Sequence, residues 1–248
     1  MRVDRLAGDV ALLTLDRPAA RNAVNVELAQ ALVEAVAGHQ DARCLVITGA
    51  DPAFCAGLDL RALGTDRLMD LPPFLHAVTS SAVPTIAAVN GAAVTGGFEL
   101  ALACDFIVAS DRARFADTHL RVGVYPGPVL VELPRRVGMA RAREMTLTGN
   151  FVDAETALRI GLANHVVPHE QLLDMALGLA RAIAEQDPAM VRAVRDDWNE
   201  TGELPIEQAR IRHQAIAAEH GYTRVDSSTL TERRAAVIAR AHEQGGHP

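Results

Sequence analysis

Glu99 stands in the apolar stretch AAVNGAAVTGGFELALACDFIVAS, residues 87–110, shortly after Gly96-Gly97. Burying an ionised carboxylate costs several kcal/mol unless the group is paired or hydrogen-bonded. The pattern therefore indicates that Glu99 either reaches a solvent-filled cavity or lies where its charge is stabilised for a purpose. The structural alternative for a lone glutamate is that the helix dipole favours acidic residues in a first turn.

A second segment, ITGADPAFCAGLDL at residues 47–60, has a similar design. An apolar run typical of a buried strand leads through a turn into the small residues Cys55-Ala56-Gly57. In residues 87–110 a strand likewise leads to Gly96-Gly97, which introduce a helix. Both segments therefore place small residues after the carboxyl end of a strand, where α/β folds bind ligands.

The chemistry that two such loops can perform is the stabilisation of negative charge. Small residues let the backbone approach a ligand closely and leave N–H groups free to point at it. A helix that starts near Gly97 also directs the positive end of its dipole to that place. One backbone amide from each loop would suffice for an oxyanion hole. Ordinary glycine turns are the structural alternative for either loop taken alone.

The elements that must position these loops alternate between short apolar runs and amphipathic stretches. Strands are predicted at residues 10–15, 44–50, 84–91 and 105–110, and helices at 25–39 and 98–104. From about Pro134 onward the pattern is helical. This alternation predicts an α/β protein with largely parallel strands covered on both faces. No linker separates two domains, so we expect residues 1–190 to form the α/β core and residues 191–248 a C-terminal helical region of the same structural unit.

Composition excludes several classes of protein. The 248 residues are 49% hydrophobic and 22% charged, which is typical of a soluble globular chain. The net charge of −7 argues against general nucleic-acid binding, which needs a basic face. No signal-peptide core or membrane-length apolar window is present, so the sequence predicts a cytoplasmic protein with no membrane partner. The chain has no lysine, and an anionic ligand must therefore be held by arginine or backbone amides.

The sequence predicts no metal site. His165 and His169 are four residues apart, but Pro168 between them disfavours a helix and no third ligand has a useful spacing. Cys55 and Cys104 lie in apolar contexts and are predicted to be inert core thiols. The three cysteines have no paired spacing, which argues against a disulfide framework.

Five blocks in order resemble the enoyl-CoA hydratase/isomerase (crotonase) superfamily. They are DRPAARNAVN, VITGADPAFCAGLDL, AAVNGAAVTGGFELALACDFIVAS, RFADTHLRVGVYPG and LTGNFVDAETALRIGLANHVV. The resemblance extends from about Leu12 to Val167. It implies a crotonase-type spiral of repeated ββα units, with C-terminal helices that build homotrimers, often paired as hexamers. It also implies an acyl-CoA thioester substrate and no separate cofactor, because coenzyme A is part of the substrate.

The resemblance implies a role for each matching residue. Ala56 and Gly96 would donate the two amides of the oxyanion hole to the thioester carbonyl oxygen, and Glu99 would orient and deprotonate the water that attacks the β-carbon. Gly127 would normally donate a backbone hydrogen bond to a second carboxylate. The remaining residues with an implied substrate-binding role are Phe54, Gly57, Leu58, Asp59, Leu60 and Gly97.

His119 is the main departure from the family pattern, because it stands where the second catalytic glutamate is expected. Histidine can act as a general acid, since its unperturbed pKa is about 6.5. The first interpretation is a modified hydratase pair of Glu99 and His119. The second is an isomerase in which Glu99 alone moves the proton, and the third is an acyl-CoA-binding protein with little or no hydratase activity. Isomerases of the family tend to retain the second carboxylate rather than the first, so the presence of Glu99 favours the hydratase.

Overall fold

Two β-sheets form the framework of the residues that the computed structural model describes, which are 1–59, 61, 71–222, 234 and 237–240. In this part of the chain the larger sheet has the strand order β1-β2-β3-β5-β7-β10, and the smaller has the order β4-β6-β8-β9. The strands are β1 Arg2–Leu6, β2 Val10–Leu15, β3 Cys44–Gly49, β4 Ala53–Cys55, β5 Thr85–Val89, β6 Ala92–Val94, β7 Phe106–Ser110, β8 Arg114–Ala116, β9 Val152–Asp153 and β10 His165–Val167. Neighbours are parallel except for β1 with β2 and β8 with β9, which are antiparallel.

The helices follow the strands in repeated units. They are α1 Val26–Gly38, α2 Phe74–Thr79, α3 Gly96–Leu102, α4 Val129–Val137, α5 Met139–Thr148, α6 Ala154–Arg159, α7 Leu172–Ala184, α8 Pro188–Thr201 and α9 Ile206–Glu219. The run β5-β6-α3 shows the unit clearly: one strand in the larger sheet, one in the smaller, then a helix. The predicted α/β fold of repeated ββα units is confirmed. The described residues form two compact units, one up to Arg192 and one from Ala193 onward.

The central strands of the larger sheet, β2, β3, β5 and β7, are buried on both faces, which explains why they are almost continuously apolar. On one face Val46, Ile86 and Val108 pack against Leu172 and Ala176 of α7. The other face contributes to the main core, which also receives the apolar side of α1. Within the described residues, no helix has the length and apolarity needed to cross a membrane.

The helix that carries Glu99 begins earlier than predicted. The sequence predicts residues 98–104, whereas α3 begins at Gly96 and ends at Leu102. Every residue of α3 is buried, so the chain commits the first turn of this helix to the protein interior. The Glu99 carboxylate must therefore be stabilised by neighbouring protein groups rather than by bulk water.

Candidate active site

Glu99 lies in the first turn of α3, and only 6% of its side chain is exposed. The backbone N–H of Val129, the first residue of α4, donates to Glu99 Oε1 at 3.2 Å. Burial raises the pKa of this carboxyl above its usual value, and the Val129 amide and the nearby His119 only partly offset that increase. Glu99 is therefore a carboxyl group that binds a proton more readily than an exposed glutamate.

Gly127 packs against Glu99, although the family resemblance implies that it should serve the second acid. A Cβ atom at Gly127 would lie 2.9 Å from Glu99 Oε1, so a side chain at residue 127 would collide with the carboxylate. The Gly127 amide also helps to lower the pKa of Glu99. The implied pairing of Gly127 with His119 is therefore corrected: its backbone serves the first acid.

His119 faces Glu99 across the site. It begins the 3-10 helix His119–Val122, which follows β8, and 9% of its side chain is exposed. Its Nε2 lies 3.9 Å from Glu99 Oε2, which is too long for a direct hydrogen bond. The two groups that were expected to form the catalytic pair are thus brought together, with a gap that a small movement or a water molecule can bridge.

Asp117 lies behind His119 and was not singled out from the sequence. Its Oδ1 accepts a hydrogen bond from His119 Nδ1 at 2.6 Å, and the His119 backbone N–H lies 3.3 Å from the same oxygen. Burial opposes ionisation of Asp117, but the bonds from His119 outweigh it and hold the pKa of Asp117 below its usual value. Thr146 contributes in the same direction, although no group in the described residues meets hydrogen-bond geometry with Asp117 Oδ2. The signal in the sequence is the spacing Asp-x-His inside a tight turn.

The two small-residue loops pack backbone against backbone. A Cβ atom at Gly97 would lie 2.1 Å from the carbonyl oxygen of Cys55, which no side chain can occupy. Gly57 has φ +95°, and a Cβ atom there would lie 2.9 Å from Val94 O. The glycines at these positions are therefore required by the close approach of the loops, and Gly97 acts through this packing.

The amide of Ala56 is occupied, which argues against its expected role. The Ala56 N–H donates to the carbonyl oxygen of Arg21 at 3.0 Å. On either side of Leu58, the Val24 N–H donates to Gly57 O and the Asp59 N–H donates to Val24 O. These bonds leave the Leu58 N–H without a backbone acceptor in the part of the chain that the structure describes. Leu58, unlike Ala56, is therefore a free donor of this loop.

Gly96 supplies the other free amide. As the first residue of α3, it has no acceptor within the helix for its N–H. A Cβ atom at Gly96 would lie 3.7 Å from the Leu58 nitrogen, so the two amides belong to adjacent segments. This geometry agrees with a two-amide oxyanion hole, with Leu58 in the place expected for Ala56.

A cavity of about 590 Å³ opens beside the Leu58 loop. Arg17, Asp59 and Arg61 contribute polar groups to its wall, together with Ala20, Ala56 and Leu58. Arg17 Nη2 lies 3.1 Å from Asp59 Oδ2, and the Arg61 N–H donates to Asp59 Oδ1 at 3.2 Å. Burial opposes ionisation of Asp59, but these bonds outweigh it and lower its pKa. The cavity has the size of a small-molecule site.

One of the expected substrate-binding residues lies away from the cavity, and another falls outside the described residues. The Phe54 side chain is fully buried in β4 as part of the main core and does not line the cavity. Leu60 lies outside the described residues. Burial raises the pKa of Cys55 and of Cys104 to about 12, so neither thiol ionises readily.

Thr95 and Thr118 connect the two parts of the site. Their hydroxyl oxygens lie 2.6 Å apart, joining the residue before Gly96 to the residue before His119. Thr95 has φ 53° and ψ −116°, a strained conformation for a β-branched residue. Strain of this kind persists only where surrounding contacts hold it, and the Thr118 hydroxyl is such a contact.

Asn22 connects the loop around Ala50 and Ala53 to Arg17 and was also not singled out from the sequence. It is fully buried, and its Nδ2 donates to the carbonyl oxygens of Ala50 and Ala53 at 2.7 Å each. Its Oδ1 accepts from the Arg17 N–H at 2.9 Å.

In the described part of the chain, no group of three or more His, Cys, Asp or Glu side chains is placed to bind a metal ion.

Comparisons with known proteins relate the whole chain to one family. Residues 5–233 match the model of the family described as enoyl-CoA hydratase/isomerase. The probable enoyl-CoA hydratase 1, peroxisomal, of Arabidopsis thaliana is 34% identical over 84% of this chain and 82% of its own length. The carnitinyl-CoA dehydratase of Escherichia coli K12 is 38% identical over 82% of this chain and 81% of its own. The crystal structure of enoyl-CoA hydratase from Mycobacterium smegmatis is 41% identical, with a TM-score of 0.74 over 88% of this chain and 94% of that one.

Proposed function

Because the chain belongs to the enoyl-CoA hydratase/isomerase family, an enzyme family that acts on acyl-CoA thioesters, we propose that it adds water across the 2,3 double bond of a 2-enoyl-CoA. The observation that carries the proposal is that His119 Nε2 faces Glu99 Oε2 at 3.9 Å in a nearly water-excluded site. Two proton-transfer groups on one site are what the addition of H and OH requires. The same groups catalyse the reverse dehydration.

The binding step uses the backbone half of the site, which consists of the loops around Leu58 and Gly96. The amides of Leu58 and Gly96 bind the thioester carbonyl oxygen, which gains negative charge as the enolate forms. The CoA portion occupies the cavity beside Arg17 and Arg61, and arginine guanidinium groups are the strong cations that a chain without lysine can offer to its phosphates. No separate cofactor is required, because the substrate carries the coenzyme A.

The chemical step uses the side-chain half of the site, which consists of Glu99, His119 and Asp117. Glu99 takes a proton from water, the water oxygen bonds to the β-carbon, and the electron pair of the double bond moves into the thioester as an enolate. His119 Nε2–H then gives its proton to the α-carbon. The proton on Glu99 passes to His119 after product release, which restores both groups. Each proton is accounted for, and the net change is the addition of one water.

Isomerisation is the main alternative. It requires that a single group remove a proton from one carbon and return it to another, and Glu99 alone would suffice. The buried position of His119, directed at Glu99 rather than at solvent, favours the two-group reaction. An acyl-CoA-binding protein without turnover is the third alternative, and it gives no reason for a carboxylate whose pKa is raised beside the thioester site.

Turnover of a panel of thioesters tests the proposal. The purified full chain is incubated with 2-enoyl-CoA and 3-enoyl-CoA substrates of several lengths, and the products are identified by mass and double-bond position. We expect 2-enoyl substrates to lose their conjugated absorbance and gain the mass of water. Conversion of 3-enoyl substrates at unchanged mass, without hydration, would establish the isomerase instead. Tight binding with neither reaction would establish the binding protein.

Assembly and location are further proposals. We propose a homotrimer or a hexamer formed from two trimers, on the strength of the family resemblance. We also propose a cytoplasmic protein with no nucleic-acid or membrane partner, in keeping with the net charge of −7. Sedimentation equilibrium of the full chain measures the assembly directly, and a monomeric mass would contradict it.

A further inference from the structure

Asp117 forms a buried hydrogen-bonded pair with His119. Only 1% of its side chain is exposed. Its Oδ1 receives both the Nδ1 of the ring at 2.6 Å and, more weakly, the backbone N–H of the same histidine at 3.3 Å. Two contacts from one residue to one oxygen fix the ring plane relative to the backbone, so the direction of Nε2 is set as well.

The charges around His119 come from two elements. Within the described residues, the charged groups within 4 Å of its ring nitrogens are Asp117, from the turn after β8, and Glu99, from α3. Thr146 of α5 also acts on the Asp117 carboxylate. No cation from the described residues shares this cluster, so any positive charge near the two carboxylates is carried by the imidazole itself.

We propose that Asp117 is a positioning residue, which holds the Nδ1–H of His119 so that Nε2 is the proton donor to the substrate. This inference rests on the proposed hydration reaction. A carboxylate on Nδ1 fixes the histidine tautomer and stabilises the imidazolium that delivers the proton. Asp117 thereby orients His119 so that its Nε2–H can act as the general acid.

The pair also reproduces the charge of the group that it replaces. A protonated glutamic acid at position 119 would be neutral and carry one transferable proton. An Asp117 carboxylate with a His119 imidazolium is likewise neutral overall and carries one transferable proton on Nε2. Replacing glutamate with histidine alone would have added a charge to a buried site, at considerable cost. Asp117 removes that cost.

The proton balance at His119 follows from this arrangement. The Nε2–H bond breaks as the C–H bond forms at the α-carbon, and the imidazolium becomes neutral imidazole. The Nδ1 proton stays on His119 throughout, hydrogen-bonded to Asp117 Oδ1, and Asp117 is not itself protonated. The proton that Glu99 took from water then crosses the 3.9 Å gap to Nε2, which restores the starting state.

The first test observes the histidine ring without turnover. Nitrogen-15 NMR of the ligand-free full chain, with H119Q to assign the signal, should show a proton on His119 Nδ1 shifted far downfield by the short bond. D117N should abolish that shift. The matched control is D197N, because His213 Nδ1 lies at the same distance of 2.6 Å from Asp197 but is largely exposed. We expect D197N to leave the His119 signal unchanged. Absence of the Nδ1 proton in the wild type would overturn the inference even if D117N did not fold.

The second test uses kinetics. D117N should lower kcat by about 100-fold with KM changed less than about threefold, within the range for losing an oriented acid. H119E alone should be poorly active, because the new carboxylate would lie against the carboxylate of Asp117. H119E/D117N should exceed H119E by at least about tenfold, and D197N should match the wild type. Wild-type kcat in D117N would overturn the inference while leaving hydration intact. Loss of the Nδ1 shift in D117N without hydration by the wild type would instead overturn the proposed function.

Discussion

The backbone half of the site and its side-chain half are held in place by different forces. The backbone half consists of the loops around Leu58 and Gly96, where one main chain touches another and a single added carbon would collide. The side-chain half consists of Glu99, His119 and Asp117, whose positions depend on hydrogen bonds and on charge. In the first half a side chain does not fit at positions such as Gly97, whereas the second half depends on the charge and reach of its side chains.

This difference explains where the chain departs from its family. The glycines of the backbone half are retained because nothing else fits at positions such as Gly97. In the side-chain half a histidine stands where a glutamate is expected, and Asp117 compensates for the change of charge. We therefore expect the proton-transfer residues to vary beside an unchanged pair of backbone amides, provided that the net charge of the site is kept.

The largest expected effect comes from breaking the backbone half with Gly97→Ala. Its Cβ atom would lie 2.1 Å from Cys55 O, and relief requires the two loops to separate. We expect a loss of about 3 kcal/mol in the free energy of unfolding, the upper end of the usual cost of overpacking, together with loss of activity. Urea denaturation measures the first quantity. Gly178→Ala in α7 is the matched control, because nothing lies within 4 Å of its Cβ position. It should stabilise the protein by about 0.5–1 kcal/mol. Equal stability of the two variants would contradict the steric argument.

Glu99→Gln should affect chemistry far more than stability. Glutamine keeps the shape and can still accept the hydrogen bond from the Val129 amide, but it cannot take a proton from water. We expect kcat to fall by about 10³-fold, within the usual range for a lost general base, while the melting temperature changes little. Steady-state kinetics and thermal unfolding of the same preparation check this. Unchanged turnover would remove Glu99 from the mechanism.

His119→Gln separates the two reactions that the site supports. Hydration needs the second proton donor, so its kcat should fall by about 100-fold. Any double-bond migration measured with 3-enoyl substrates should fall much less, because Glu99 performs it alone. The ratio of the two rates is the decisive quantity. Equal losses in both reactions would assign His119 to the pocket wall rather than to proton transfer.

The pH dependence of stability should reveal the raised pKa of Glu99. Its pKa is raised in the folded state, chiefly by burial, so the folded protein binds this proton more tightly than the unfolded chain does. The wild type should therefore lose stability relative to E99Q as pH rises from the usual glutamate range through the raised folded-state value. Urea denaturation of both proteins across this window gives the difference. A gap that stays constant with pH would contradict the raised pKa.

The sequence named both loops of the backbone half, but it placed one expected donor where the structure shows an occupied amide. Gly96 and Glu99 lie where their pattern indicated, since glycine pairs before a buried helix leave few alternatives. The donor in the other loop was placed at Ala56, whereas the free amide belongs to Leu58, because Ala56 bonds to Arg21 O. Which amides of a loop are occupied depends on a segment distant in sequence, and no local pattern encodes it.

The side-chain half was predicted only in part. His119 was recognised as the partner of Glu99, but Asp117 was missed because its role depends on a rotamer and on burial. Gly127 was assigned to the wrong acid for a similar reason. Its contact with Glu99 Oε1 is set by how the loop before α4 packs on α3. The sequence names the reactive residues, whereas the packing decides which group each one serves.

The smallest expected effect comes from Thr118→Val, which cuts the connection between the two halves. The variant keeps the shape of the side chain but removes the hydroxyl that lies 2.6 Å from Thr95 Oγ. We expect a loss of about 1 kcal/mol in the free energy of unfolding, as for one hydrogen bond. Because Thr95 is then free to leave its strained conformation, Gly96 and His119 lose their common support. Hydration should fall severalfold in kcat with KM little changed. Thr156→Val in the first turn of α6 is the control, because its hydroxyl bonds to Arg159 of the same helix. A kcat loss as large as that of T118V would show that the connection does not couple the two halves.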